Sequence, residues 1–219
     1  WENGRLETSG RFGGLPAALL LPPTIGTTTL RLGGEWNVDL GQRVDGRIRI
    51  SRQSGDLILK EGGESYALGL ERLDVSADFS GQQATLAIQG QGSKAGTVDG
   101  RMVASLRQED GAWTLARNAP WQGKLALDTP SIAWLSPLAG ENVLLAGHLQ
   151  ANVDLGGTPS APATHGQVTG SGLRVRLLDY GLDLGGGSLR LEFTPEVARL
   201  QRLELISVAT QNPRDRRID

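Results

Sequence analysis

Apolar and polar residues alternate along most of this chain. Leu30, Leu32, Trp36, Val38 and Leu40 share one parity, with Arg31, Asn37 and Asp39 between them. Ile48 and Ile50 alternate with Arg47, Arg49 and Ser51. Leu73, Val75, Ala77 and Phe79 alternate with Asp74, Ser76 and Asp78, and Leu86 and Ile88 continue the pattern. Leu149, Ala151, Val153 and Leu155 repeat it, as do Leu173, Val175 and Leu177. Leu189, Leu191 and Phe193 are expected to face Leu203 and Leu205 across a turn at Thr194–Glu196. A period of two gives each strand one face in an apolar environment and one in water. Glycine-containing breaks between the runs predict turns into antiparallel neighbours. Helix signal is confined to PSIAWLSPL at 130–138, where Pro130 and Ser131 open a turn or two and Pro137 is expected to stop it, and more weakly to its partner at 15–22. These patterns predict an all-β chain with one or two short helical turns.

The pentapeptide Asn-Val-Asp-Leu-Gly occurs at 37–41 and again at 152–156. Tyr66, Leu68 and Leu70 line up with Tyr180, Leu182 and Leu184. Val75, Ala77 and Phe79 line up with Leu189, Leu191 and Phe193, and Pro22 with Pro137. One register of about 115 residues relates all these blocks, which marks an internal duplication. The expected organisation is one elongated β domain over 1–219. Unit one covers about 1–90, intervening strands about 91–128, unit two about 129–207, and a charged tail 208–219. Units of this kind stack, because neither buries its apolar face alone. Two independent domains of one fold are the alternative, but no Pro-, Ser- or charge-rich linker separates the copies.

Composition narrows the class. Glycine is abundant, at 31 of 219 residues, which suits many short strands with tight turns. The net charge of −2, from 22 basic and 24 acidic residues, argues against a general nucleic-acid binder and gives no polybasic handle for anionic lipid surfaces. Cysteine is absent, which excludes a disulfide framework, a thiolate metal site and a cysteine nucleophile. No apolar window is long enough to span a membrane, and no signal peptide is recognisable. The chain opens on Trp1 and reads as a piece of something larger.

Catalytic chemistry does not emerge. His148 and His165 lie far apart without clustered ligands. GQGSKAG at 90–96 lacks the spacing of a phosphate loop and precedes a strand-like run, so it reads as a turn. Gly185–Gly187 reads as a hairpin or bulge, Glu61/Glu64 and Glu109/Asp110 as acidic turn edges, and PRDRRID at 213–219 as a solvated end. Trp113, Trp121 and Trp134 cluster before the second unit, packing at a sheet corner or around the short helix, with an aromatic ligand platform as the lesser reading. The chain is expected to be neither an enzyme nor a cofactor or metal binder.

Three ordered runs carry a resemblance. They are W-L-x-P-L at 134–138, G-x-L-x-A-x-V-x-L-G-G-T-x-x-x-P at 147–162, and L-x-D-Y-G-L-x-L-x-x-G-x-L-x-L at 177–191, echoed more loosely across 12–90. Together they resemble the TamB family, the inner-membrane subunit of the translocation and assembly module of Gram-negative bacteria. The resemblance implies a long curled antiparallel sheet, the β-taco, with an apolar concave interior. It implies a periplasmic segment, with the membrane anchor outside this chain, in a superfamily with AsmA-like and bridge-like lipid-transfer proteins. It implies two roles: carriage of phospholipid towards the outer membrane, and assembly of autotransporters and other outer-membrane β-barrel clients with the partner barrel TamA.

Physical reasoning favours the first role. Moving an acyl chain through water costs about 0.8 kcal/mol per methylene, so a chain of ~16 carbons faces on the order of 10 kcal/mol. An unbroken apolar floor removes that cost. The candidate lining comprises the in-phase apolar residues from Leu30 to Leu205 named above, and a charge at Val38, Val153 or Val175 should block transfer. Parity alone does not distinguish an open groove from a closed β-sandwich. The other readings are a chaperone-like scaffold that offers its sheet edges to β-rich clients, and a structural β-solenoid with a dry core.

Overall fold

A computed structural model describes residues 5–20, 27–61, 64–140 and 142–207. In chain order the strands are β1 (Leu6–Pro16), β2 (Thr27–Thr28), β3 (Arg31–Leu40), β4 (Val44–Ser54) and β5 (Leu57–Glu61). They continue with β6 (Glu64–Ala67), β7 (Leu70–Gly81), β8 (Gln83–Gly92), β9 (Gly96–Glu109) and β10 (Ala112–Leu115). The last are β11 (Gln122–Thr129), β12 (Val143–Thr158), β13 (Ala161–Leu177), β14 (Leu182–Phe193) and β15 (Ala198–Ser207). Eleven of them form one antiparallel path, β1-β3-β4-β7-β8-β9-β11-β12-β13-β14-β15, and β10 pairs only with β9. β2, β5 and β6 form a small second sheet. The all-β expectation is met. Seven of the ten neighbouring pairs in the path are next in sequence, as tight glycine turns favour.

Short helical turns occupy the sites expected of them. Ala17–Leu19 and Ile132–Leu135 are 3-10 turns, and α1 (Ser136–Ala139) follows the second directly. Ser131 caps the second turn by accepting from the Ala133 N–H at 3.3 Å. Pro137 differs from expectation. It lies in the first turn of α1, where its missing N–H costs nothing, and the helix ends at Gly140 instead. A third 3-10 turn covers Leu178–Tyr180.

Both turns and the small sheet gather at one end of the strands. There Ala17, Leu30 and Leu32 are buried together, with Phe12, Ile50, Leu70 and Leu73 packed against them. Leu30 precedes β3 and belongs to this end cluster, so its in-phase parity does not make it a strand residue. Thr129, fully buried, accepts the Trp134 indole N–H at 3.1 Å, and the Ser136 hydroxyl accepts the Leu145 N–H at 2.8 Å. These bonds staple the helical segment to β11 and β12. The expected tail at 208–219 and the Pro22 end of the first apolar block lie outside the described residues.

GQGSKAG forms the β8–β9 turn, and Gly185–Gly187 falls at a register shift inside β14. The three tryptophans disperse. Trp113, Trp121 and Trp134 donate to the Gly41 carbonyl, the Gly156 carbonyl and Thr129 respectively, so no shared aromatic platform forms.

Candidate functional site

Side chains opposite each other in a β-ladder point to the same face, so the registers decide which residues meet. One row runs Gly34, Ile50, Val75, Ile88, Gly100, Leu125, Val153, Gly166, Phe193, Ala198, across ten consecutive strands from β3 to β15. Beside it runs Trp36, Ile48, Ala77, Leu86, Met102, Gly123, Leu155. On the other flank runs Leu73, Gly90, Val98, Leu127, Ala151, Val168, Leu191, Leu200. Val38 with Phe79, Leu40 with Val44, Leu149 with Leu189 and Leu203, and Val175 with Leu184 fill the ends. Leu177 pairs with both Val143 and Leu182. Every named residue in these rows is apolar or glycine. At about 4.8 Å per strand, eleven strands carry this face for about 50 Å.

Two expected pairings differ in detail. Leu189 stands opposite Leu203, but a register shift sets Leu191 opposite Leu200. Leu205 has no partner in that register and instead overlies Gly187, as does Leu173.

The opposite face is charged and self-paired. Arg47 pairs with Asp78, Arg49 with Glu35 at 3.9 Å, and Lys124 with Asp154 at 3.6 Å. Arg174 donates to Asp183 at 2.8 Å and 2.5 Å, and Arg176 stands 3.6 Å away. Hydrogen bonding to Arg174 holds the Asp183 carboxyl below the usual carboxylate range, against the opposing effect of desolvation. His148 sits on this face, 2.6 Å from Asp128. That contact and Gln150 lower the Asp128 pKa. No group of three or more metal-capable side chains occurs among the described residues.

Openness is read from exposure. Of the candidate lining residues only Leu30, Leu32, Val38 and Leu173 are buried. Ile48, Val75, Leu86 and Leu203 are exposed, Val75 at 38% and Leu203 at 54%. The rest are half-buried. A β-sandwich would bury such residues against a second sheet. Among the described residues the only other sheet is the small one at the strand ends. The apolar face is therefore a trough.

Glycines set between larger side chains allow the curl. A Cβ on Gly100 would lie 2.9 Å from Ile88 and 3.1 Å from Leu125, and one on Gly90 would lie 2.8 Å from Val98. Neighbouring side chains thus lean over the glycines, as they must when a sheet curves towards that face.

One part of the trough is roofed. β9 runs past the edge of the sheet, and its hairpin with β10 returns over the floor until the Trp113 indole N–H reaches the Gly41 carbonyl at 3.2 Å. Beneath it lies a cavity of about 530 Å³, walled by Leu6, Trp36, Val38, Val44, Phe79 and Leu106 among others. The alternation of apolar and polar residues carries no cue to this roof. Trp113 read as a packing residue, and nothing in periodicity says which way a terminal hairpin folds.

Among the described residues no helix is long and apolar enough to cross a membrane. Neither a curated protein nor a solved structure matches the chain. Residues 19–169 match the family model described as TamB, N-terminal domain. That match covers well over half the chain and bears out the resemblance carried by its strand motifs: the chain belongs to the TamB family.

Proposed function

We propose that the apolar trough conducts phospholipid acyl chains between the inner and outer membranes, as a periplasmic segment of an inner-membrane-anchored protein. The observation that carries this reading is the continuous row of apolar and glycine positions from β3 to β15 on a face no second sheet covers. Such a floor replaces water around a moving chain at every step, which offsets on the order of 10 kcal/mol for ~16 carbons. The charged face keeps the other side of the sheet wet. The order strand, 3-10 turn, then four main-sheet strands occurs at β1–β8 and again at β11–β15, which supports two stacked units of about 115 residues. A dry-cored solenoid is disfavoured by the exposure of Val75 and Leu86.

The test is lipid transfer between donor and acceptor vesicles. Val153 is half-buried on the floor, and its neighbour Asn152 lies on the other face. Val153→Asp should slow transfer by roughly ten-fold or more, the factor set by ~1.4 kcal/mol of added barrier. Asn152→Asp should leave it unchanged. Equal transfer by both variants would refute the conduit. Val38 is the poorer probe, because it is 6% exposed and a charge there threatens the fold itself.

A second reading has its own observation. β1 and β15 end the strand path, and each pairs on one side only among the described residues. Such edges suit strand addition by β-rich clients, the scaffold role with TamA. Crosslinks from β15 to a client segment, insensitive to Val153→Asp, would support it.

A further inference from the structure

The roofed cavity differs from the rest of the trough. It is a cleft of about 530 Å³, partly open to solvent, and its lining sets it apart. No charged side chain lines it. The Trp36 indole N–H is spent on Thr8 at 3.2 Å, and the Trp113 N–H on Gly41. The interior therefore offers almost nothing to a headgroup and suits hydrocarbon. Its rim is different. The guanidinium of Arg43, in the turn between Gly41 and Val44 of the cavity wall, has no ion-pair or hydrogen-bond partner among the described residues, and the residue's carbonyl accepts from the Gly41 N–H at 3.0 Å. Its guanidinium lies across Gly81, where a Cβ would come within 2.9 Å of it. Gly81 ends β7, two residues past Phe79 in the cavity wall. An unpaired guanidinium thus stands beside the wall of an uncharged pocket, with the Asp45 carboxylate accepting the Gly81 N–H at 3.0 Å close by, while most arginines of the outer face are paired.

We propose that this pocket is a seat for one phospholipid, its acyl chain enclosed beneath the β9–β10 hairpin and its phosphate held by Arg43. The proposal rests on the reading of the trough as a lipid path and adds a resting site within it. An uncharged interior beside the unpaired Arg43 guanidinium suits the apolar and anionic ends of such a lipid.

The test places the photo-crosslinker p-benzoylphenylalanine at Leu106 in the roof, or at Leu125 on the open floor, in the full chain. Each protein is exposed to vesicles of phosphatidylglycerol with labelled acyl chains. Adducts are expected at both sites. Arg43→Glu should lower the Leu106 adduct about two- to five-fold, the worth of a solvent-exposed ion pair. It should leave the Leu125 adduct, and labelling at Leu106 by diacylglycerol (which has no phosphate), unchanged. Trp113→Phe, which keeps the ring but loses the bond to Gly41, should also lower the Leu106 adduct. Labelling at Leu125 without labelling at Leu106 would overturn the seat while the conduit stands. Labelling at neither would overturn both. Indifference of the Leu106 adduct to Arg43→Glu would overturn the phosphate assignment.

Discussion

The recurrence of Asn-Val-Asp-Leu-Gly has a cause at single residues. Val38 is paired with Gly46, and Val153 with Gly166. A Cβ on Gly46 would overlap the Asn37 carbonyl oxygen, and one on Gly166 the Asn152 carbonyl oxygen. Both copies thus bring a backbone against a glycine of the next strand, and Gly46 is further confined by its φ of 129°. Gly46→Ala and Gly166→Ala should each destabilise by about 2 kcal/mol, read from urea midpoints. Unchanged midpoints would mean the strands shift freely at both sites. A second prediction concerns acid. The Asp183 carboxyl, bonded to Arg174, titrates below its unfolded value. A group lowered in this way adds stability above its unfolded pKa and loses it as pH falls through the folded one. Asp183→Asn should therefore flatten the fall in stability below about pH 4 and leave the profile near neutrality parallel to the parent.

At the scale of elements, strand identity and facing were legible in the sequence because a half-wet strand must alternate. Trp36, Val38, Ile48, Val75, Leu86, Val153 and Leu189 all fall on the face their parity assigned. Placement off the main sheet was not legible. β5 and β6 carry strand-like residues yet leave the path to pair with each other, β5 also with β2, and a single side chain secures them. The Asp56 carboxylate accepts from the N–H groups of Leu57 at 2.8 Å and of Gly69 and Leu70 at 2.9 Å. Asp56 also offers its carbonyl to Thr28 and Thr29. Such a hub depends on loops that only the fold brings together. Asp56→Ala leaves several backbone donors without their charged acceptor, a loss of about 2–4 kcal/mol. Amide exchange at Leu57, Gly69 and Leu70 should accelerate, while exchange within β12 and β13 stays slow. Uniform acceleration across both regions would mean that the small sheet unfolds only with the whole chain.

The property least legible in the sequence belongs to the whole molecule, since parity names an apolar face but not what covers it. Sandwich, solenoid and trough all require Leu30 through Leu205 to alternate; only the pairing order and the exposure of Val75, Leu86 and Leu203 separate them. An open face that runs to the sheet's edge has a consequence for association. On β15, Leu200 and Leu203 are 53% and 54% exposed on the floor side, beside backbone groups that among the described residues pair only with β14. Long apolar edges template the addition of further strands unless a charge blocks them. Arg199 and Arg202 on the same strand are directed to the other face, opposite Glu192 and Arg190, so they leave the apolar side of the edge unguarded. The chain is therefore expected to self-associate reversibly with rising concentration. Leu203→Lys sets a charge on that side at an already exposed position and should shift the sedimentation profile towards monomer, with little change in the urea midpoint. Lys at Leu125, equally on the floor but on the central strand β11, should leave association as it was. Were Leu125→Lys instead to abolish association while Leu203→Lys did not, contact would run through the open trough and not through the β15 edge.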